Sequence, residues 1–176
     1  MSDAPEEVAW QGKWITAKRR GKWEYVSRAR GIRAAVIVAI DADGHVLLVD
    51  QYRVPLGKRC LELPAGLVGD EAGREGDSPF DAARRELIEE TGYDCARVES
   101  LGEYYSSPGL VSEGFTLVRA TGLTKVGEGG GLEDEDIIVH RVPLAGLADF
   151  VTEKRAEGLA IDVKLLLLLS GALLAD

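Results

Sequence analysis

Short apolar runs broken by turn residues fill the first part of the chain, and they read as strands. Residues 14–18 and 22–28 flank Arg19-Arg20-Gly21 and suggest two strands around a turn. Residues 34–40, AAVIVAI, are apolar without interruption, as in a strand covered on both faces. Asp43-Gly44 is a hairpin turn signal, so residues 45–52 are expected to return as the partner strand. Pro55 and Gly57 break that strand, and residues 61–63 form a short extended piece ending at Pro64-Ala65-Gly66. The pattern then changes to a helix. Ser78 can be its N-cap, Pro79 takes the first position and Asp81 the third. Ala83 and Leu87 give it an apolar face, and Gly92 ends it. Residues 96–105, 115–121 and 137–142 read as further strands, with a glycine-rich acidic loop over 127–136. Helices are expected over 143–157 and 163–175, separated by Gly158, with Asp162 as a cap. Strands on either side of one mid-chain helix, followed by helices, predict an α/β sandwich.

Composition narrows this picture. The 176 residues make one domain, or one with a short extension, and can bury a real core. A net charge of −9 argues against a nucleic-acid partner, which needs a basic face. It also means that an anionic substrate would need a metal or local arginines. Cys60 and Cys95 form no C-x-x-C pair, and with two histidines in all a zinc site is not expected. Free cysteines and the lack of a secretory leader point to a reducing cytoplasm. Residues 1–7 are acidic and expected to fray. The leucine run 165–169, with Ala172, Leu173 and Leu174, is about half of the ~20 residues a membrane helix needs. It therefore reads as a buried C-terminal helix, with no membrane partner.

The chemistry concentrates in residues 85–93, RELIEETGY. On a helix Glu86 and Glu90 project from one face and Glu89 from its flank. Like charges at that spacing repel, unless a hard cation with oxygen ligands sits on them. Alone, such a cluster is usually a solvated surface paired here to Arg84 and Arg85. The stretch, however, resembles the second half of the Nudix signature Gx5Ex7REUxEExGU, where U is bulky and apolar, at every position. The first half departs from it. Asp77 stands where the family has glutamate, and ten residues separate it from Gly66 instead of five, which places a five-residue insertion within residues 67–76. The resemblance implies the Nudix fold, an α/β/α sandwich of α+β type with a mixed central sheet. It would occupy residues 31–176, behind an antiparallel β extension over residues 1–30.

Beyond that box the chain is similar to the ADP-ribose pyrophosphatase group. Glu62-Leu63-Pro64-Ala65-Gly66 matches that group's E-L/F-P-A-G, and Pro108 lies sixteen residues after Gly92, within a pattern that continues to Ser112-Glu113. The resemblance implies Mg²⁺, or Mn²⁺, on Glu86, Glu90 and the Ala65 carbonyl, with Glu89 a weaker contributor. Arg85 would orient the carboxylates. The general base would be Glu135, or else Glu133, in a mobile loop. Arg28, Arg53 and Glu113 would hold substrate, with Trp14 and Trp23 stacking on its base. It further implies a homodimer built through the N-terminal strands. Three readings stay open. The favoured one is Mg²⁺-dependent cleavage of ADP-ribose to AMP and ribose 5-phosphate. The others are a broader nucleoside diphosphate sugar hydrolase and a non-catalytic nucleotide sensor.

Overall fold

The computed structural model describes residues 4–29, 32–69, 76–132 and 135–173. Strands β1 (Glu6–Gln11), β2 (Ile15–Arg20) and β3 (Trp23–Arg28) form an antiparallel sheet in the order β1-β2-β3. Residues 6 and 7 are thus strand, where fraying was expected. Glu6 bonds Tyr25 and pairs with Lys18, and Glu7 pairs with Arg19 at 2.7 Å, so the acidic start is tied down by charge.

The body holds two four-stranded sheets. In the first, β7 (Ala65–Val68), β4 (Arg33–Ala39), β10 (Gly114–Thr121) and β9 (Arg97–Tyr105) lie in that order, with β4 and β10 parallel. In the second, the order is β12 (Ile138–Pro143), β5 (His45–Arg53), β6 (Lys58–Glu62) and β13 (Ala160–Ile161), with β6 and β13 parallel. A small ribbon pairs β8 (Tyr93–Asp94) with β11 (Thr124–Lys125).

The turn at Asp43-Gly44 forms, but its two strands do not make a hairpin. They touch through one bridge, Ile40 to Val46, and then diverge into different sheets. The continuous apolar run explains this, because both faces of β4 are covered. Ala35, Ile37 and Ala39 pack against Ala83 and Leu87 of helix α1 (Pro79–Thr91). Val36 and Val38 join Leu48, Leu61 and Val142 of the second sheet. That second core also takes in Leu147 and Val151 of α2 (Leu147–Ala156), and Leu165 with Leu169 of α3 (Leu166–Leu173). The result is an α/β/α sandwich with mixed sheets and an antiparallel N-terminal extension.

Both C-terminal helices begin later than expected, each after a 3-10 turn: Leu144–Gly146 before α2, and Val163–Leu165, capped by Asp162, before α3. Leu165 and Leu169 are buried while Leu166 and Leu167 are half exposed, so the leucine run covers the core with one stripe only. No described helix is long and apolar enough to cross a membrane.

Candidate active site

Helix α1 starts with a complete capping box. Ser78 Oγ accepts from the Asp81 N–H at 3.2 Å, and the Asp81 carboxylate accepts from the Ser78 N–H. Gly92 closes the helix with a left-handed φ of 75°. The fixed register turns Ala83 and Leu87 to the core, and Glu86 and Glu90 to a cleft of about 410 Å³.

Glu90 is only 4% exposed, and one of its oxygens accepts from the Ala65 N–H at 3.0 Å. Burial pushes its carboxyl up to about 8 and the charges of Glu86 and Glu135 add to the rise, against the Ala65 N–H and Arg53. Burial likewise pushes Glu86 up to about 7, with Arg85 opposing and Glu89 and Glu135 reinforcing. Arg85 spans Glu86 and Asp77, at 3.1 and 3.0 Å, and so ties the start of the helix to the carboxylate cluster. Gly66 is required beside them, since a Cβ there would lie 1.9 Å from Glu86 Cγ. A buried and a half-buried carboxylate beside a third are the kind of oxygen donors that a hard divalent cation takes.

Glu135 reaches this cluster because its loop lies on the C-terminal end of α1. The Gly130 and Gly131 N–H groups donate to the Glu90 and Glu89 carbonyls at 2.8 and 3.0 Å, using acceptors that a helix end leaves open. The approach is backbone against backbone: a Cβ on Gly129, at φ +72°, would lie 2.4 Å from the Thr91 carbonyl carbon. Glu135 Oε2 accepts from the Leu132 N–H at 3.0 Å, and Gly131 leaves room for that carboxylate. The described residues of this loop are thus hydrogen-bonded to the helix end and to one another. Glu133 lies outside the described residues.

The remaining candidates divide between the cleft and its surroundings. Arg28, Arg53, Ala65 and Glu113 line the cleft with Glu86, Glu90 and Glu135. Arg28 pairs with Glu113, which loop 107–113 brings in by docking on β3 through Val26. Arg53 grips Glu62 with two hydrogen bonds, 2.6 and 2.9 Å, and Glu62 in turn raises the arginine's own pKa. Glu89 lies on the outer face of α1 with Asp81, Arg84, Arg85 and Ile88. Trp14 and Trp23 do not reach the cleft of their own chain. Trp23 lines a separate depression with Tyr25 and Pro108, and Lys13 Nζ sits 4.5 Å over the Trp14 ring. Sequence reasoning misses Gln51, Glu62, Ser106 and Lys164, all of which line the cleft. Glu62 stands inside a quoted motif without a role there and Gln51 two residues before Arg53, whereas nothing near Lys164 signals that the 3-10 turn before α3 carries it to the site.

A second acidic group gathers Asp41, Asp43 and His45, with ligand atoms within 4.8 Å of one another. Arg141 already pairs with both aspartates, at 2.6 and 2.8 Å, and Asp41 accepts the Asp43 and His45 N–H groups. It is a turn cross-linked by Arg141, and none of its three residues lines the cleft.

Comparison with known proteins bears on the family and the fold. The NUDIX domain model matches residues 30–157. A methanol dehydrogenase activator of Bacillus methanolicus is 37% identical over 69% of this chain and 64% of its own length. A GDP-mannose pyrophosphatase of Cronobacter sakazakii is 36% identical over 85% of this chain and 76% of its own. An ADP-ribose pyrophosphatase of Mycobacterium tuberculosis is 38% identical over 65% of this chain and 54% of its own. The chain thus spans under two thirds of the first of these relatives and about half of the last. A crystal structure of an ADP compounds hydrolase superposes with a TM-score of 0.69 at 25% identity, covering 96% of this chain and 91% of that one. With the REUxEExGU pattern on helix α1, a NUDIX domain match over most of the chain and a relative 36% identical over most of both lengths, the family is shown: the chain belongs to the Nudix hydrolases.

Proposed function

We propose that the protein hydrolyses the diphosphate bond of ADP-ribose, giving AMP and ribose 5-phosphate. The observation that carries this is the buried carboxylate of Glu90 beside the half-buried Glu86, in one cleft with Glu135, Arg28 and Arg53. Glu86, Glu90 and the Ala65 carbonyl would hold Mg²⁺ or Mn²⁺; when bound, the ion neutralises diphosphate oxygens and acidifies water. Glu135 takes the proton of the attacking water at its carboxylate, with Glu133 the alternative. The water oxygen bonds to one phosphorus, the bridging P–O bond breaks, and the bridging oxygen leaves on the other phosphate. Arg28 and Arg53 each offer a planar guanidinium to the phosphates, exchanging part of their pairing with Glu113 and Glu62. Arg85 orients Glu86 and Glu89 flanks the metal face. The half-exposed tryptophans Trp14 and Trp23 support stacking on adenine and a homodimer through the N-terminal sheet. Two free, buried cysteines support a cytoplasmic setting.

One observation favours a broader nucleoside diphosphate sugar hydrolase as second reading: the GDP-mannose pyrophosphatase matches more of this chain than the ADP-ribose pyrophosphatase does, 85% against 65%. The deciding experiment measures phosphomonoester release from ADP-ribose, ADP-glucose, UDP-glucose and GDP-mannose with Mg²⁺. ADP-ribose is expected to give the highest kcat/KM. Glu90→Gln should lose more than the ~10–100-fold that removal of an outer-shell metal partner costs. No turnover of any compound, or full activity in Glu90→Gln, would overturn the proposal.

A further inference from the structure

The Glu135 loop is held at two points. One is the end of α1, described above. The other is Arg59 of β6. Its Nη1 donates to Asp136 Oδ2 at 2.8 Å and its Nη2 to the Asp136 carbonyl at 2.9 Å. The same guanidinium is locked from behind. Nη2 also donates to the Asp50 carbonyl at 2.8 Å, and Nε donates to Asp50 Oδ1. Asp50 is 4% exposed, and its second oxygen is 2.7 Å from His140 Nε2. His140 in turn meets the Phe150 ring edge-on at 5.2 Å. Three neighbouring strands, β5, β6 and β12, therefore build a rigid mount whose one outward-facing product is a grip on Asp136.

The grip has a conformational consequence. Asp136 has φ +35° and is the one described non-glycine residue with positive φ. Such a conformation is unfavourable for a side chain bearing a Cβ and persists where its surroundings fix it. Here the fixing contacts are made by Arg59 to both the carbonyl and the carboxylate of that residue. The reversal of the chain at Asp136 lies between Glu135, which turns to the carboxylate cluster, and Ile137, whose N–H returns to the Gly130 carbonyl at 3.3 Å.

We infer that Arg59, mounted on Asp50 and His140, is a positioning residue that holds Asp136 in its reversed conformation and thereby aims Glu135 at Glu86 and Glu90. The inference rests on the reading of Glu135 as the base. Its mechanical part, that Arg59 pins the loop, stands independently of any activity.

The test uses the full-length protein and two variants. Arg59→Met removes the grip at its source but strands buried Asp50. Asp136→Ala removes one half of it from a side chain that is 84% exposed, so folding is not at stake. Amide hydrogen exchange at Gly130, Gly131 and Ile137 is expected to speed up by at least about tenfold in both, with exchange in β5 and β10 unchanged in Asp136→Ala. In steady-state assays with ADP-ribose, kcat should fall by roughly tenfold or more, with KM within about twofold. The loss should not add to that of Glu135→Gln, because both act through one carboxylate. Wild-type loop exchange in Asp136→Ala overturns the proposal, and so does a kcat loss that multiplies with that of Glu135→Gln. If wild type turns over no diphosphate compound, the functional reading fails alone, and the exchange data still decide whether Arg59 pins the loop.

Discussion

At the scale of single residues, the site is built from carboxylates placed where they cannot comfortably be charged. Glu86 and Glu90 sit near 7 and 8 in the metal-free fold, against about 4.5 for an ordinary glutamate. The fold thus binds protons that the unfolded chain releases. Each group contributes stability that is fully present below pH 4.5 and is lost as the pH rises through its folded value. Melting in EDTA is therefore expected to fall steadily between pH 5 and pH 9. Each kcal/mol lost moves Tm by about 2–4 °C in a chain of this size. Saturating Mg²⁺ should remove the slope, and Glu90→Gln should reduce it in EDTA; a flat wild-type profile in EDTA would contradict the account. A steric prediction accompanies the electrostatic one. Gly66→Ala puts a Cβ into the space of the Glu86 side chain. It should lower kcat by about a hundredfold, the usual cost of displacing a reacting group by an ångström, while circular dichroism stays unchanged.

At the scale of elements, α1 carries its own positioning. Loss of the Ser78 cap in Ser78→Ala should cost about 1 kcal/mol and lower Tm by a few degrees, without selectively raising KM. Gly129→Ala acts from the other end. It meets both a left-handed φ and the Thr91 carbonyl carbon at 2.4 Å, so it should lift the Glu135 loop from the helix. Activity should collapse while the melting midpoint shifts by no more than a few degrees. The helix is legible in sequence because Ser78, Pro79, Asp81 and Gly92 each have a local preference that agrees with the global fold. Strands β7, β8, β11 and β13 are not legible, because two to four residues carry no measurable alternation. The pairing of β4 is not legible either. An all-apolar run says that both faces are covered, and leaves open which strand covers its edges.

At the scale of the whole molecule, the residues that converge on the cleft come from every part of the chain, and legibility follows chain distance. The box and the 62–66 motif carry their spacing in sequence. Lys164 and the Arg59 mount reach the site only through β6, β13 and α3, and local sequence does not encode that convergence. The N-terminal sheet presents all three tryptophans of the chain at about half exposure, together with Val8 and Ile15. An apolar surface of that kind marks an interaction site. Sedimentation equilibrium is expected to show a dimer, and dilution below its dissociation constant should shift tryptophan emission to the red. A monomer at all concentrations would remove the N-terminal sheet from the interface. The five-residue insertion has a consequence of its own. Before it, Ala65 is tied to Glu90 and β7 is paired with β4; after it, Asp77 is tied to Arg85 and Ser78 is closed by Asp81. Both banks are anchored separately, so a change of chain length between Gly69 and Gly76 is expected to leave Ala65, Glu86 and Glu90 in place. Doubling such a span costs only about 0.6 kcal/mol in closure entropy. A peptide tag or a fluorescent reporter spliced in there is therefore expected to leave Mg²⁺-dependent turnover close to that of the parent chain.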